Sequence, residues 1–164
     1  MAQRRLAAEE AAAGLDKPHE LLELIGFASL ADTPRASSAP LVDGLGEADV
    51  RPVMLTGDHP GTARAVAVIL GWSPDVTVAT SDELAALDRA GRARPLKDCG
   101  VVARVAPEQK LQIVEALREA GRVVAMDGDG ANDAAAIRAA DVGVGIAARG
   151  SAAARNAADL VITQ

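Results

Sequence analysis

The fold class is decided by residues 101–146, which read VVARVAPEQKLQIVEALREAGRVVAMDGDGANDAAAIRAADVGVGI. In this stretch short apolar runs alternate with helical patterns, and each helix leads into another apolar run. Strands that are apolar on both faces and joined by single helices are typical of a parallel sheet covered on both sides. The stretch therefore predicts a doubly wound, mainly parallel α/β sheet in a three-layer α/β/α arrangement.

The same alternation runs from about residue 50 to the end of the chain. It predicts strands at 53–55, 76–79, 101–105, 123–126, 142–146 and 160–163, and helices at 61–70, 107–120, 134–140 and 151–157. A further helix is predicted from Ser81 to a stop at Gly91. The first 50 residues are less regular, and they predict a helix at 1–13, a strand at 21–30 and a helix at 34–47 interrupted by Pro40, Gly44 and Gly46.

Composition excludes several classes of function. The chain has 164 residues, which suits one domain, and aromatic residues make up 1% of it. The net charge of −6 and the scarcity of aromatic rings argue against a nucleic-acid binder, because phosphate backbones attract basic surfaces and unpaired bases stack on rings. No apolar run is long enough to cross a bilayer, and the first residues lack the apolar segment of a secretory signal. Cys99 is the lone cysteine, so no internal disulfide is possible.

Polar residues follow two predicted strands, at the sheet edge where α/β proteins bind ligands. Strand 53–55 leads into Thr56-Gly57-Asp58, which can hold an oxyanion but can also be explained as a turn with a helix cap. Strand 123–126 leads into DGDGAND at 127–133, whose carboxylates suit Mg²⁺. Lys110 lies in the first turn of helix 107–120, against the helix dipole, so we expect it to meet an anion. Together these residues predict a site for phosphate oxygens.

Four motifs in this order resemble the phosphorylation domain of P-type cation-transporting ATPases, in the haloacid dehalogenase-like superfamily. They are MLTGD at 54–58, VVARVAPEQK at 101–110, GDGAND at 128–133 and AADVG at 139–143. DTPR at 32–35 matches the family's Asp-Pro-Pro-Arg hinge motif with one change. The resemblance covers residues 20–164 and implies a haloacid dehalogenase-like Rossmannoid fold.

The resemblance also implies roles for individual residues. The residues that handle the phosphoryl group would be Thr56, Gly57, Lys110 and Asp133. The residues on the nucleotide side would be Asp58, Arg104 and Asn132, and the Mg²⁺ ligands would be Asp129 and Asp133. In this assignment ATP is the phosphoryl donor, and Lys110 neutralises phosphoryl charge.

One motif of the family is missing. Its aspartyl nucleophile lies in an Asp-Lys-Thr-Gly-Thr motif on the central strand of the sheet, and this chain has no such motif. The run Asp16-Lys17-Pro18-His19 begins similarly but lacks both threonines and follows a charged helix, so we reject it as the nucleophile. We therefore expect a partial phosphorylation domain of a larger membrane pump, lying in the cytoplasm. Residues 1–19 would return from the absent nucleotide-binding domain, and residues 20–164 would form the core.

In the parent, ATP and Mg²⁺ would arrive through the nucleotide-binding domain, and the cation would cross membrane helices outside this chain. The isolated chain is expected neither to autophosphorylate nor to transport. Without the central strand, we expect the strands ending at Thr56 and Asp127 to pair directly, or segment 21–30 or a second chain to supply the missing edge. An exposed sheet edge would permit a homodimer.

Two alternatives stay open. The chain could be a stand-alone haloacid dehalogenase-like phosphatase, in which Asp127 of the Asp127-Gly128-Asp129 run would accept the phosphoryl group. It could also be a non-catalytic module whose Mg²⁺ loop serves docking.

Overall fold

The computed structural model describes residues 2–3, 23–26, 34–147 and 150–163. The chain divides into two compact units, Met1–Thr33 and Pro34–Gln164. In the first unit, strand β1 (Ala2–Gln3) pairs antiparallel with strand β2 (Glu23–Leu24). The helix predicted at 1–13 is therefore wrong at Ala2–Gln3, because pairing with a distant segment overrides local helix propensity. The rest of that helix, most of the strand predicted at 21–30, and the rejected run at 16–19 lie outside the described residues.

The second unit carries the remaining described elements. Its strands are β3 (Met54–Leu55), β4 (Val78–Thr80), β5 (Val101–Ala103), β6 (Ala125–Gly128), β7 (Val142–Ile146) and β8 (Leu160–Ile162). Its helices are α1 (Ser38–Glu47), α2 (Pro60–Ile69), α3 (Ser81–Ala85), α4 (Arg89–Leu96), α5 (Pro107–Glu119), α6 (Ala134–Ala139) and α7 (Ala152–Ala157). A 3₁₀ turn at Ala131–Asp133 leads into α6. In the described part of the chain, no helix has the length and apolar character needed to span a bilayer.

The strands of the second unit form two parallel sheets of three strands each. In the first sheet β5 lies between β3 and β4, and in the second sheet β7 lies between β6 and β8. The parallel α/β class predicted from the sequence is confirmed. The expectation that the strands ending at Thr56 and Asp127 pair directly is wrong, because within the described ranges β3 bonds only to β5 and β6 only to β7. The described strand of segment 21–30 is β2, which pairs with β1.

The first sheet is covered by helices on both faces. Val101 and Ala103 point to one side of β5, where they pack with Ala63 and Ala67 of α2. Val102 points to the other side, into a cluster with side chains of α3, α4 and α5. This alternation follows from the two-residue repeat of a strand, and it produces the three layers that the sequence predicts.

Helix α5 contributes to the cores of both sheets. Its Ile113 and Ala116 are buried in the cluster of the first sheet, whereas Val114 is buried with Met126 in the cluster of the second. Leu55 of β3 packs against both clusters. The two sheets are thus joined by shared apolar packing at α5.

Helices α6 and α7 approach the second sheet closely, because β7 carries glycine where they meet it. A Cβ atom at Gly143 would lie 2.8 Å from the backbone oxygen of Ile137 in α6. A Cβ atom at Gly145 would lie 3.1 Å from the Cβ atom of Ala158. The alanines of these helices are therefore explained as close helix–sheet packing.

Several predicted boundaries need correction. Gly91 does not end a helix that begins at Ser81; instead α3 ends at Ala85, and Gly91 lies in the first turn of α4, where its N–H donates to the Asp88 carboxylate. The strand predicted at 101–105 ends at Ala103, because Arg104 has a φ of 55° and leaves the extended conformation. The strand predicted at 123–126 starts two residues later, and Val123 is 86% exposed.

The predicted helix at 34–47 is an uninterrupted helix over Ser38–Glu47. Pro40 does not break it, because proline lacks a backbone N–H, and an N–H in the first turn would have no acceptor within the helix.

Asp141, which directly precedes β7, connects the end of α5 to the residue before β6. The Asp141 carboxylate accepts from the backbone N–H of Val124 at 2.9 Å and from Nε of Arg118 at 2.9 Å. The hydrogen bond from Val124, followed by that from Arg118, lowers the pKa of Asp141 below its ordinary value. The AADVG motif at 139–143 thus contains a structural carboxylate.

Candidate functional site

The Thr56-Gly57-Asp58 loop is held by backbone hydrogen bonds to the end of β5. The backbone N–H of Thr56 donates to the backbone oxygen of Val102 at 3.0 Å, and the backbone oxygen of Thr56 accepts from Val105 N–H at 2.9 Å. The Thr56 hydroxyl accepts from Asp58 N–H at 3.1 Å, which closes a tight local turn. The loop is therefore a turn, as one of the two interpretations of the sequence holds. The N–H of Gly57 takes part in none of these hydrogen bonds.

Arg104 lies against this loop through its backbone. Its N–H donates to the oxygen of Asp58 at 3.0 Å, and its side chain is exposed. The left-handed φ of 55° turns the chain so that this N–H reaches the loop. The structure thus brings Arg104 together with Asp58, as two of the residues predicted on the nucleotide side.

The shortest polar contact among the predicted site residues joins Lys110 to Asp133. Lys110 Nζ lies 2.6 Å from Asp133 Oδ1, and the side chains are 21% and 8% exposed. Lys110 precedes Val114 by one helical turn and so shares the face of α5 that meets the second sheet. The anion expected beside Lys110 is therefore present in the protein itself.

Asp133 is fixed from both sides. Its second oxygen accepts from the backbone N–H of Gly130 at 3.1 Å. A Cβ atom on Gly128 would lie 2.6 Å from the Cβ atom of Asp133, so only glycine fits at that position. The GDGAND motif thus encodes a buried carboxylate in a cradle that a side chain at 128 would fill.

The other carboxylates of the loop are directed to solvent. Asp127 and Asp129 are exposed, and within the described residues their side chains form no hydrogen bond or ion pair. The backbone oxygen of Asp129 accepts from Ser151 N–H at 2.7 Å, which anchors the loop to the start of α7. Asn132 is also exposed, in the 3₁₀ turn.

These residues fit a Mg²⁺ site in which Asp129 supplies the protein carboxylate. Over the described ranges, no three His, Cys, Asp or Glu side chains converge on a common metal position. Mg²⁺ commonly uses one or two protein carboxylates and completes its octahedron with phosphate oxygens and water. Asp129 has uncommitted oxygens for such a site, whereas both oxygens of Asp133 already have partners. The role of Asp133 as a direct ligand stays a prediction.

The predicted site residues thus form two groups. Thr56, Gly57, Asp58 and Arg104 lie at the end of the first sheet, and Lys110 and Asp133 lie at the second sheet with the 127–132 loop. In the described part of the chain, no hydrogen bond or ion pair joins one group to the other. Leu55, which precedes Thr56, packs against both apolar clusters, as helix α5 also does.

Sequence reasoning missed one buried polar residue near the site. Ser81 is 4% exposed, and its hydroxyl donates to the carbonyl of Arg104 at 2.5 Å. The sequence identifies it only as a helix start. The signal available in the sequence is its position directly after an apolar strand, whereas its place beside the end of β5 comes from the strand pairing in the structure.

Comparison with known proteins agrees with these features. The haloacid dehalogenase-like hydrolase family matches residues 2–141. The chain is 59% identical over 142 residues to the "Probable cation-transporting ATPase I" of Mycobacterium tuberculosis, covering 87% of this chain and 9% of that protein. It is 43% identical over 147 residues to the "Probable cation-transporting ATPase F" of Mycobacterium bovis, covering 87% and 16%. It is 39% identical over 150 residues to the "Calcium-transporting ATPase 1" of Bacillus cereus, covering 91% and 17%. The chain therefore spans less than a fifth of the length of these relatives.

A solved structure shows the same architecture. The catalytic domain of the CPx-ATPase CopB-B aligns with a TM-score of 0.58 and 25% identity, covering 80% of this chain and 42% of that domain. The structural alignment thus agrees with the family match found from the sequence. With parallel sheets, the GDGAND loop and a family match over most of its length, the chain belongs to the haloacid dehalogenase-like hydrolases.

Proposed function

We propose that this chain supplies the phosphoryl-binding and Mg²⁺-binding part of the catalytic domain of an ATP-driven, cation-transporting P-type ATPase. The observation that carries the proposal is the Lys110–Asp133 pair, which lies beside a loop with an uncommitted Asp129 carboxylate. The similarity to three cation-transporting ATPases supports it. The parent protein would contain this domain on the cytoplasmic side of a membrane.

The residues divide the work of phosphoryl transfer between binding and charge. The Gly57 N–H and the Thr56 hydroxyl would donate to phosphoryl oxygens, and Lys110 would offset their negative charge. Asp133 holds Lys110 in place before any ligand arrives, so the ammonium group needs no reorganisation. Such preset donors and charges lower the barrier to phosphoryl transfer.

Mg²⁺ would be held by Asp129, with phosphate oxygens and water as its other ligands. When bound, Mg²⁺ neutralises charge on the transferred group. Arg104 and Asn132, both exposed, would contact the nucleotide, and ATP would be presented by a separate domain of the parent.

The aspartate that accepts the phosphoryl group would come from the parent. In this proposal its strand inserts between β3 and β6, which do not pair with each other within the described residues. The two groups of site residues would then lie on either side of that strand, at its carboxyl end. By itself the chain would bind phosphate and Mg²⁺ without turnover.

The experiment is a titration of the ¹⁵N-labelled chain with Mg²⁺ and orthophosphate, followed by NMR. We expect shifts at Asp129 and Gly130 with Mg²⁺, and at Thr56 and Gly57 with orthophosphate. Asp129→Ala should abolish the Mg²⁺ shifts, while the matched control Asp98→Ala, at an exposed site far along the chain from the loop, should keep them. Mg²⁺ shifts that persist in Asp129→Ala would refute the metal assignment.

A phosphatase assay on the same preparation separates the alternatives. Asp127 is exposed on β6, and its carboxylate has no partner in the described residues. This observation favours the second candidate function, a stand-alone phosphatase in which Asp127 would accept the phosphoryl group. Hydrolysis of p-nitrophenyl phosphate that disappears in Asp127→Asn would support the phosphatase and contradict the partial domain. Mg²⁺ binding without any phosphate binding would support the docking module.

A further inference from the structure

A buried hydroxyl is linked to the Thr56-Gly57-Asp58 loop through the backbone of Arg104. Ser81 follows β4 directly, and β4 is hydrogen-bonded to β5. Thr80 pairs with Ala103 in that register, so the next residue of each strand, Ser81 and Arg104, meet beyond the end of the sheet. The Ser81 hydroxyl donates to the Arg104 carbonyl at 2.5 Å.

Ser81 is itself held in place by the start of α3. The Thr80 hydroxyl accepts from Glu83 N–H at 3.3 Å, and the Glu83 carboxylate accepts from Thr80 N–H at 2.7 Å. This capping box fixes the backbone on both sides of Ser81. With 4% exposure, the Ser81 hydroxyl also has little access to water as an alternative partner.

Arg104 has a backbone conformation that needs support. Its φ of 55° lies in the left-handed region, which residues with a Cβ atom seldom adopt. Its two backbone groups are bonded in opposite directions: the carbonyl accepts from Ser81, and the N–H donates to Asp58. With Arg104 in this conformation both bonds form, and the next residue, Val105, donates its N–H to the backbone oxygen of Thr56.

We propose that Ser81 is a positioning residue for the phosphoryl-binding loop. Its hydroxyl holds Arg104 in the left-handed conformation, and Arg104 in turn holds Asp58, so that a residue on a different strand sets the shape of the Thr56–Asp58 turn. Ser81 touches neither phosphate nor nucleotide. The functional side of this inference rests on the proposed function, whereas the backbone link from Ser81 to Asp58 can be measured without any ligand.

The test uses amide hydrogen exchange and NMR on the full chain without ligand. Ser81→Ala should raise the exchange rate of the Arg104 amide about fivefold, since one net hydrogen bond is lost from the support of its conformation. The HN–Hα coupling of Arg104, which reports φ, should move away from its wild-type value. The amide of Val114, buried in the second core, should keep its wild-type rate. Ser81→Thr, which retains the hydroxyl, should restore most of the protection.

Two further variants separate positioning from general stability. Ser73→Ala removes an exposed serine hydroxyl that caps a turn elsewhere, and it should leave the Arg104 amide unchanged. Arg104→Gly permits the left-handed conformation without help, so adding Ser81→Ala to it should accelerate exchange at Val105 less than Ser81→Ala does alone. If Ser81→Ala by itself folds poorly, the double variant is compared with Arg104→Gly instead, and removal of the Ser81 hydroxyl should then leave exchange at Val105 nearly unchanged.

The ligand arm is an orthophosphate titration of the same variants. Ser81→Ala should weaken binding at Thr56 and Gly57 severalfold, and Ser81→Thr should recover it. An Arg104 amide that exchanges at the wild-type rate in Ser81→Ala, or one that accelerates only in step with Val114, would overturn the inference. Failure of orthophosphate to bind the wild-type chain would instead refute the proposed function, since exchange at Arg104 is measured without it.

Discussion

Replacing Lys110 by methionine should destabilise the protein more than replacing Asp133 by asparagine. The two side chains are 2.6 Å apart, and Asp133 is the more buried partner. In Lys110→Met the Asp133 carboxylate stays buried with the Gly130 N–H as its remaining partner. Breaking a fully buried pair in this way costs about 3–5 kcal/mol. Because the Lys110 side chain is 21% exposed, we reduce the expected cost to about 2–3 kcal/mol.

The asparagine variant should be milder for a structural reason. The amide oxygen of Asp133→Asn can still accept from Gly130 N–H, so no buried charge is left behind. Lys110 loses its partner but can turn its partly exposed ammonium group toward water. The expected cost is about 1 kcal/mol, the usual net value of one hydrogen bond.

Urea unfolding at neutral pH, followed by circular dichroism, measures both changes as shifts in midpoint at constant slope. Lys97→Met is the matched control, because Lys97 is exposed and its side chain forms no described hydrogen bond or ion pair. The reasoning fails if Asp133→Asn is the more damaging change. It also fails if Lys110→Met lies within about 0.5 kcal/mol of the control, the ordinary range for surface substitutions.

Gly128→Ala should destabilise the protein by about 1–3 kcal/mol in urea unfolding, because the new methyl group would overlap the Asp133 side chain. Gly44→Ala, in an open part of helix α1, should stabilise it by about 0.5–1 kcal/mol. Equal effects of the two substitutions would contradict the steric argument. Because the pKa of Asp141 is lowered by folding, its ionised form stabilises the protein above the ordinary pKa of 3.8, and this stabilisation is lost as the pH falls through the folded-state pKa. In Asp141→Asn the melting temperature should therefore fall less steeply between pH 5 and pH 2. Asp98→Asn, at an exposed site, is the control, and an unchanged acid slope in Asp141→Asn would disprove the assignment.

The sequence predicts most of the second unit because its signals are local. The strand at Val142–Ile146 and the helix beginning at Pro107 have the predicted positions, since an apolar run and a proline at the first helical position leave few alternatives. Gly91 shows where local signals fail. A glycine can end one helix or lie in the first turn of the next. Here Asp88, a residue type common at helix N-caps, accepts from Gly91 N–H and places Gly91 inside α4.

Pairing between strands is the part that the sequence does not specify. Nothing in the runs at 53–55 and 123–126 indicates that they belong to different sheets, because hydrogen-bonded neighbours are selected by the whole arrangement of the chain. The same limit applies to the site. The Lys110–Asp133 contact joins residues on separate elements, and the importance of Ser81 depends on a backbone angle at Arg104 that only the structure reveals.

The packing of α5 against both sheets has a consequence for helical phase. Lys110 and Val114 are one turn apart, and Ile113 lies about 60° from Lys110 around the helix axis. The rotation of the helix that buries Ile113 and Val114 therefore also determines where the Lys110 ammonium group points. A single residue inserted between Lys110 and Ile113 would turn Lys110 about 100° relative to the two cores. Substitutions along α5 are therefore far easier to accommodate than any change in its length.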